Sequence, residues 1–173
     1  QRHAASLAGG YKFSFAQVGV NGNVSSEPDY LSRTLGGSLS TELNDKLITP
    51  RVGYNYSWDT IGYRNTPFDQ FSRALTTHAI EAGVTFVLSP TTLLVTGISM
   101  SFERGENSKL YRFIPMFPAD IADRIPAGAT VALVNEQRLS VRPREFVPQQ
   151  RDRFAIGARV NHRFASGTLR IEE

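Results

Sequence analysis

The sequence contains no cysteine, which removes disulfides, zinc–thiolate sites and cysteine nucleophiles together. It also has no long hydrophobic run. A membrane-spanning helix needs roughly 18 or more consecutive apolar residues, and the longest apolar stretch, around Val84–Leu88, is only a few residues long. No H-E-x-x-H, P-loop, EF-hand or G-x-S-x-G pattern occurs, so the familiar signatures of metal, nucleotide and serine-hydrolase chemistry are missing. Charge of one sign is not concentrated either. Nineteen basic residues are dispersed among sixteen acids, for a net charge of +3. That is not the clustered basic patch of a nucleic-acid surface, and no nucleic-acid partner is expected. No signal peptide stands at Gln1.

What the 173 residues do have is strict alternation. In a strand, a period of two sorts side chains onto opposite faces. The pattern predicts strands over about 2–13, 17–26, 31–43, 47–59, 73–88, 92–103 and 152–164, with an eighth begun at 168–173. The stretch 47–59 is clearest: Ile48, Val52, Tyr54, Tyr56 and Trp58 oppose Thr49, Arg51, Gly53, Asn55, Ser57 and Asp59. Pro50 sits awkwardly there, since proline cannot donate to a ladder. Turns are expected at 13–16, at Asn44-Asp45-Lys46, at Ser89-Pro90-Thr91 and at Ala165-Ser166-Gly167. Longer connections are expected at 26–30, 60–72 and 105–151. Short and long connections thus alternate, which places the short ones at one end of an up-and-down meander and the long ones at the other. Outer-membrane barrels sort their loops this way.

The expected fold is therefore all-β: an antiparallel up-and-down transmembrane β-barrel, with about eight strands visible. A soluble barrel or sandwich also alternates, but three features weigh against it. The strands are long, roughly ten to thirteen residues against about five or six in soluble sheets. One face carries ionisable groups within the strands: Lys12, Arg51, Glu81, Glu103, Arg159 and Arg163, which would line a lumen. The other face sets large aromatics toward its ends. Phe13, Phe86 and Phe164 fall near short turns, and Trp58, Phe102 and Phe154 near long loops, as two interfacial girdles would. The eighth strand is about half length, and the chain does not finish on an aromatic residue. Residues 1–173 are thus expected to be one segment of a larger barrel, with strands missing after Glu173 and the side before Gln1 left open.

Several runs carry a resemblance. Glu27-Pro28-Asp29-Tyr30, Arg33-Thr34-Leu35-Gly36-Gly37-Ser38-Leu39 and Val52-Gly53-Tyr54-Asn55-Tyr56-Ser57 are among them. So are Lys109-Leu110-Tyr111-Arg112-Phe113-Ile114-Pro115 and Arg151-Asp152-Arg153-Phe154-Ala155. Together the chain resembles a family of uncharacterised bacterial outer-membrane proteins of porin-like build. The likeness covers most of the chain, and members of the family are longer. It implies a porin-like barrel and supplies no activity, so it assigns no catalytic residue.

Other candidates have plainer explanations. His78 and His162 fall on the apolar register, toward opposite ends, and His3 lies near the start. An outer-wall Ser/His lipase site needs convergence that this spacing does not give. The pairs Asp59/Asp69 and Asp120/Asp123 are loosely spaced and read as solvated acids, so no metal and no cofactor is expected. Arg51 and Glu81 fall on neighbouring strands and invite an ion pair. In a narrow barrel the inward charges would plug the lumen; in a wide one they would set solute preference. The connection 105–151 is too long for a plain loop. It holds Phe113, Ile114, Met116 and Phe117 among five prolines, and 119–125 has room for a helical turn or two. It would constrict the barrel, cap it, or bind a partner. The expected function is non-enzymatic: a pore for small solutes in the bacterial outer membrane, in contact with lipid and lipopolysaccharide. The alternative is a structural barrel that docks another envelope protein through this loop.

Overall fold

A computed structural model describes residues 1–108 and 110–173. Lys109, part of one segment carrying the family resemblance, lies outside the described residues. Eight strands form one antiparallel sheet in chain order: β1 (His3–Lys12), β2 (Gln17–Glu27), β3 (Tyr30–Ser40), β4 (Ile48–Ile61), β5 (Arg73–Ser89), β6 (Thr92–Gly105), β7 (Gln150–Phe164) and β8 (Gly167–Glu172). The sheet is all hairpins, each strand pairing with its sequence neighbours, and β1 and β8 form its two edges. By contacts the chain divides into two compact units: the sheet, residues 1–106 with 149–173, and a second unit, 107–148.

Cross-strand pairing keeps the period-two pattern in phase across the whole sheet. Tyr11, Val18, Leu39, Val52, Ala82, Ile98 and Ile156 form one continuous row on the apolar face. The register therefore delivers what the alternation implies, because a slip of one residue at any hairpin would exchange the faces. Pro50 proves harmless. Its carbonyl accepts from Thr41, 3.2 Å away, so its nitrogen faces the side where β3 has already ended.

Three details differ from the sequence reading. The β2–β3 connection is not long: β2 continues to Glu27, and only Pro28 and Asp29 turn the chain. At the opposite end the β3–β4 connection spans 41–47, and Asn44, Asp45 and Lys46 all hold left-handed φ (50°, 52° and 70°). Asn and Asp tolerate that region, which explains the turn, but loop length is sorted by end less cleanly than expected. Leu88 does not continue the apolar row. It is bulged out between Val87, paired to Leu93, and Ser89, paired to Thr92. The β5–β6 turn itself is tied by the Ser89 hydroxyl, 2.9 Å from Thr92 Oγ1 and 3.2 Å from the Thr91 amide.

The apolar face has no protein over it. Leu7 is 81% exposed, Leu35 60% and Ile156 84%. Among the described residues, Ala16 and Leu110 are the only buried hydrophobic residues. The sheet is thus held by ladder hydrogen bonds and same-face side-chain contacts, without a covered core. None of the described helices is long and apolar enough to cross a membrane, which leaves strands as the only spanning candidates.

The second unit is not a plain loop. It contains α1 (Ala119–Ala122), a single turn within the expected 119–125, and α2 (Val131–Gln137), which the sequence reading did not anticipate. Thr130 caps α2, its hydroxyl accepting from the Leu133 amide at 3.3 Å. Two arms of the unit run antiparallel: Phe113 bridges Arg144, Ile114 N donates to Pro143 O (2.9 Å), and Leu139 N to Met116 O (2.7 Å). Arg112 and Glu145 pair at 3.5 Å, and Asn107 Nδ2 reaches Pro148 O at 3.2 Å, closing the unit at its base.

Candidate functional site: the polar face and the aromatic bands

All six residues expected to share one face do so. Lys12 begins a row that passes through Gln17 and Ser40 to Arg51, then crosses Gly83, Gly97 and Gly157. Glu81 stands one row away, opposite Gly53 and Ser99. Glu103, opposite Thr77 and Arg151, lies toward the end with the long connections. Arg159 is paired with Val95 and Glu172, and Arg163 with Thr168 near the short turns.

No ion pair joins any two of these six groups to one another. Arg51 and Glu81 line one small hollow of about 200 Å³, yet no ion pair within 4.0 Å joins them. Their rows are offset, and Arg51 instead leans over β5, its Nε 3.5 Å from where a Gly83 side chain would begin. Glu103 is buried and pairs with Arg153. Lys12 pairs with Glu42 at 2.7 Å, and Lys46 joins at 3.7 Å. The Lys12 hydrogen bond is the main reason the Glu42 carboxyl titrates below the ordinary carboxylate range; the two lysine charges add to it. A larger hollow of about 710 Å³ opens beside Glu81, with Ser99, Ser101 and Arg153 around it.

Midway along β1 to β4 the polar face is uncharged. Asn21 Nδ2 donates to Asn55 Oδ1 (3.2 Å) across Gly36. That bridge depends on glycine, since a Cβ at position 36 would sit 2.0 Å from Asn55 Oδ1. Thr34 and Ser57 hydroxyls meet at 2.8 Å on the same face.

The aromatic residues expected at the ends fall there and gather neighbours. Toward the long connections, Trp58 stacks on Tyr56 (centroids 5.5 Å), and Phe102 meets Phe154 edge-on (5.8 Å). Tyr56 also approaches His78 (4.9 Å), whose Nδ1 lies 2.7 Å from Tyr54 Oη. At the other end, Phe13 meets Tyr11 edge-on (4.6 Å) and stacks with Phe15 (5.9 Å). Phe164 meets His162 (4.4 Å), and Phe86 opposes Ile48 and Leu94. His162 Nδ1 is 2.8 Å from Thr92 Oγ1. Both histidines are thus partnered locally, ten strand rows apart in β-sheet terms of position, and they do not converge. Among the described residues no three His, Asp or Glu side chains gather as metal ligands would.

Some members escaped the sequence reading. Glu42 carries a readable signal in Lys46, four residues on, but its Lys12 partner emerges only from the β1–β3 neighbourhood. Arg151 falls in the expected long connection, but β7 begins two residues earlier and takes it in; Arg153 shares parity with Arg159 and Arg163. Comparison with family models, with curated proteins and with solved structures finds no match to this chain. Its functional reading therefore rests on the two faces of the sheet.

Proposed function

We propose that the chain is part of a transmembrane β-barrel of the bacterial outer membrane, of the porin-like family it resembles, and that the polar face lines a pore for small solutes. The uncovered apolar face supports this above all. Exposed apolar patches beyond a few hundred Å² mark interaction or membrane surfaces, and here one sheet face is mostly apolar, with Arg33, Arg104, Asp152 and Glu173 as its charged members. Lipid acyl chains would cover it, with lipopolysaccharide around the aromatic band at the outer end.

The dimensions agree. Phe154 and Phe164 stand ten positions apart on β7, about 33 Å along a strand and about 23–27 Å along the membrane normal at a tilt of roughly 35–45°. An outer-membrane barrel shows an apolar band about 25 Å tall between its aromatic girdles. Strands of 10 to 17 residues from β1 to β7 reach or exceed the span required. Closure into a barrel would also pair the free edges of β1 and β8, which lipid cannot satisfy.

A second reading keeps the barrel and makes it a docking platform for an envelope protein. It is favoured by the unit 107–148, which exposes Phe146 (89%), Val131 (76%) and Val141 (67%). Planar-bilayer conductance of the intact protein separates the two. Steady ohmic current supports the pore. Silence from the intact protein and from a variant lacking 107–148 refutes it and leaves the platform.

A further inference from the structure

The charges on the polar face are unevenly distributed and unevenly neutralised. β7 alone presents Arg151, Arg153, Arg159 and Arg163 to it, since odd-numbered positions of this strand oppose the polar residues of β6. From Arg151 to Arg163 the strand advances about 40 Å at roughly 3.3 Å per residue, so arginines recur from one end to the other. Nearly every acid on this face is already engaged. Glu103 pairs with Arg153, Glu172 with Arg170, Glu27 with Arg2, and Asp59 accepts from Tyr30 Oη at 2.6 Å. Among the described residues no carboxylate lies within 4.0 Å of Arg151, Arg159 or Arg163.

Two further observations point to a mobile anion as the missing partner. Arg159 Nε is enclosed and has no hydrogen-bond partner, the position of a donor awaiting an acceptor. Beside it, Gly157, Gly97 and Gly83 form a floor without side chains that leads across three strands to Arg51. A bare floor flanked by guanidinium groups leaves room for a hydrated ion to approach them. Arginine also keeps its charge at any physiological pH, and rings or ladders of Arg and Lys are how pores favour anions.

We propose that the polar face of β7 is an anion track, with Arg151, Arg159 and Arg163 as its free sites, and that the pore it lines prefers small anions such as chloride, phosphate and carboxylates. This rests on the pore reading above. The probe is the intact protein in planar bilayers under a potassium chloride gradient, read as the chloride-to-potassium permeability ratio. The expected ratio favours chloride several-fold, and Arg151→Glu/Arg159→Glu/Arg163→Glu moves it toward potassium. An ohmic current with a ratio near one, or favouring potassium, overturns the track and leaves the pore standing. A chloride preference that survives the triple substitution removes β7 as its source. Absence of current in every salt overturns track and pore together. Should the triple variant not insert, the ratio of the unaltered protein and of Arg159→Gln decides alone.

Discussion

Ile98 and Ser99 are adjacent on β6, near its midpoint, and both are exposed. Ile98 lies on the apolar face between Ala82 and Ile156; Ser99 lies on the polar face between Glu81 and Ala155. In a water-soluble sheet, arginine at either exposed position would change stability by about 0.5 kcal/mol or less. In a lipid-embedded barrel the two must differ. Arginine on the lipid face costs about 2–4 kcal/mol at the bilayer midplane and about 0–1 kcal/mol near the interfaces. Ile98, paired to Ile156 two residues inside the Phe154 band, falls between these at about 1–2 kcal/mol, a factor of roughly 5 to 30 in the folding equilibrium. Ser99→Arg meets Glu81 and lumen water instead, and is expected to stay within about 0.5 kcal/mol of the parent. Trp58, the only tryptophan, sits on the apolar face and reports insertion through its emission. Reversible urea titration of Ile98→Arg and Ser99→Arg in lipid vesicles, followed at Trp58, measures the difference. Equal destabilisation of the two variants, or a larger cost for Ser99→Arg, would refute the assignment of the faces and the membrane reading with it.

Other outcomes follow from the same geometry. Replacing 107–148 by a short turn should leave the sheet folded, because Gly105 N already bonds Gln149 O at 2.9 Å and closes the hairpin; retention of strand signal in circular dichroism checks it. Gly105→Ala should destabilise the β5–β6 rim by about 1–3 kcal/mol, since φ is +121° and a Cβ would meet Ala74 O at 2.1 Å; faster amide exchange at Glu106, which donates to Ala74 O, is the readout. Gly36→Ala should displace the Asn21–Asn55 bridge and cost about 0.5–1.5 kcal/mol, and adding Asn55→Ala should then cost little more. Glu42 titrates below its unfolded value, so its contribution is present above that value and fades as pH falls through the folded one; Glu42→Gln should remove that part of the acid dependence, measured by midpoint of urea unfolding against pH.

The strands were legible because one physical rule, side chains on alternate faces, repeats through every segment and survives any error of two residues at the ends. That is why Lys12, Arg51, Glu81, Glu103, Arg159 and Arg163 were assigned a common face correctly. The ion pairs were not legible, because they depend on offsets between rows: Arg51 and Glu81 are on adjacent strands yet fail to meet, while Lys12 finds Glu42 from two strands away. The bulge at Leu88 interrupts a pattern that looks uniform in sequence. Within 107–148 there is no period to follow, and the pairing of Phe113 with Arg144 joins arms separated by two short helices, which no local signal announces.

The strand order also sets the sequence of folding events. Seven hairpins zip between chain neighbours, and six of them close over connections no longer than 62–72. The β6–β7 hairpin must close over 106–149, about four times the length of 62–72, an added entropic cost of about 1.2 kcal/mol for a flexible loop. That cost largely vanishes when 107–148 collapses first, since the Asn107–Pro148 contact brings its two ends together and leaves β6 and β7 only a few residues to bridge. The second unit thus acts as a clasp: its early closure would convert the slowest pairing in the sheet into an ordinary hairpin, and a mutation that loosens it should delay β7 and β8 while leaving β1 to β6 unaffected.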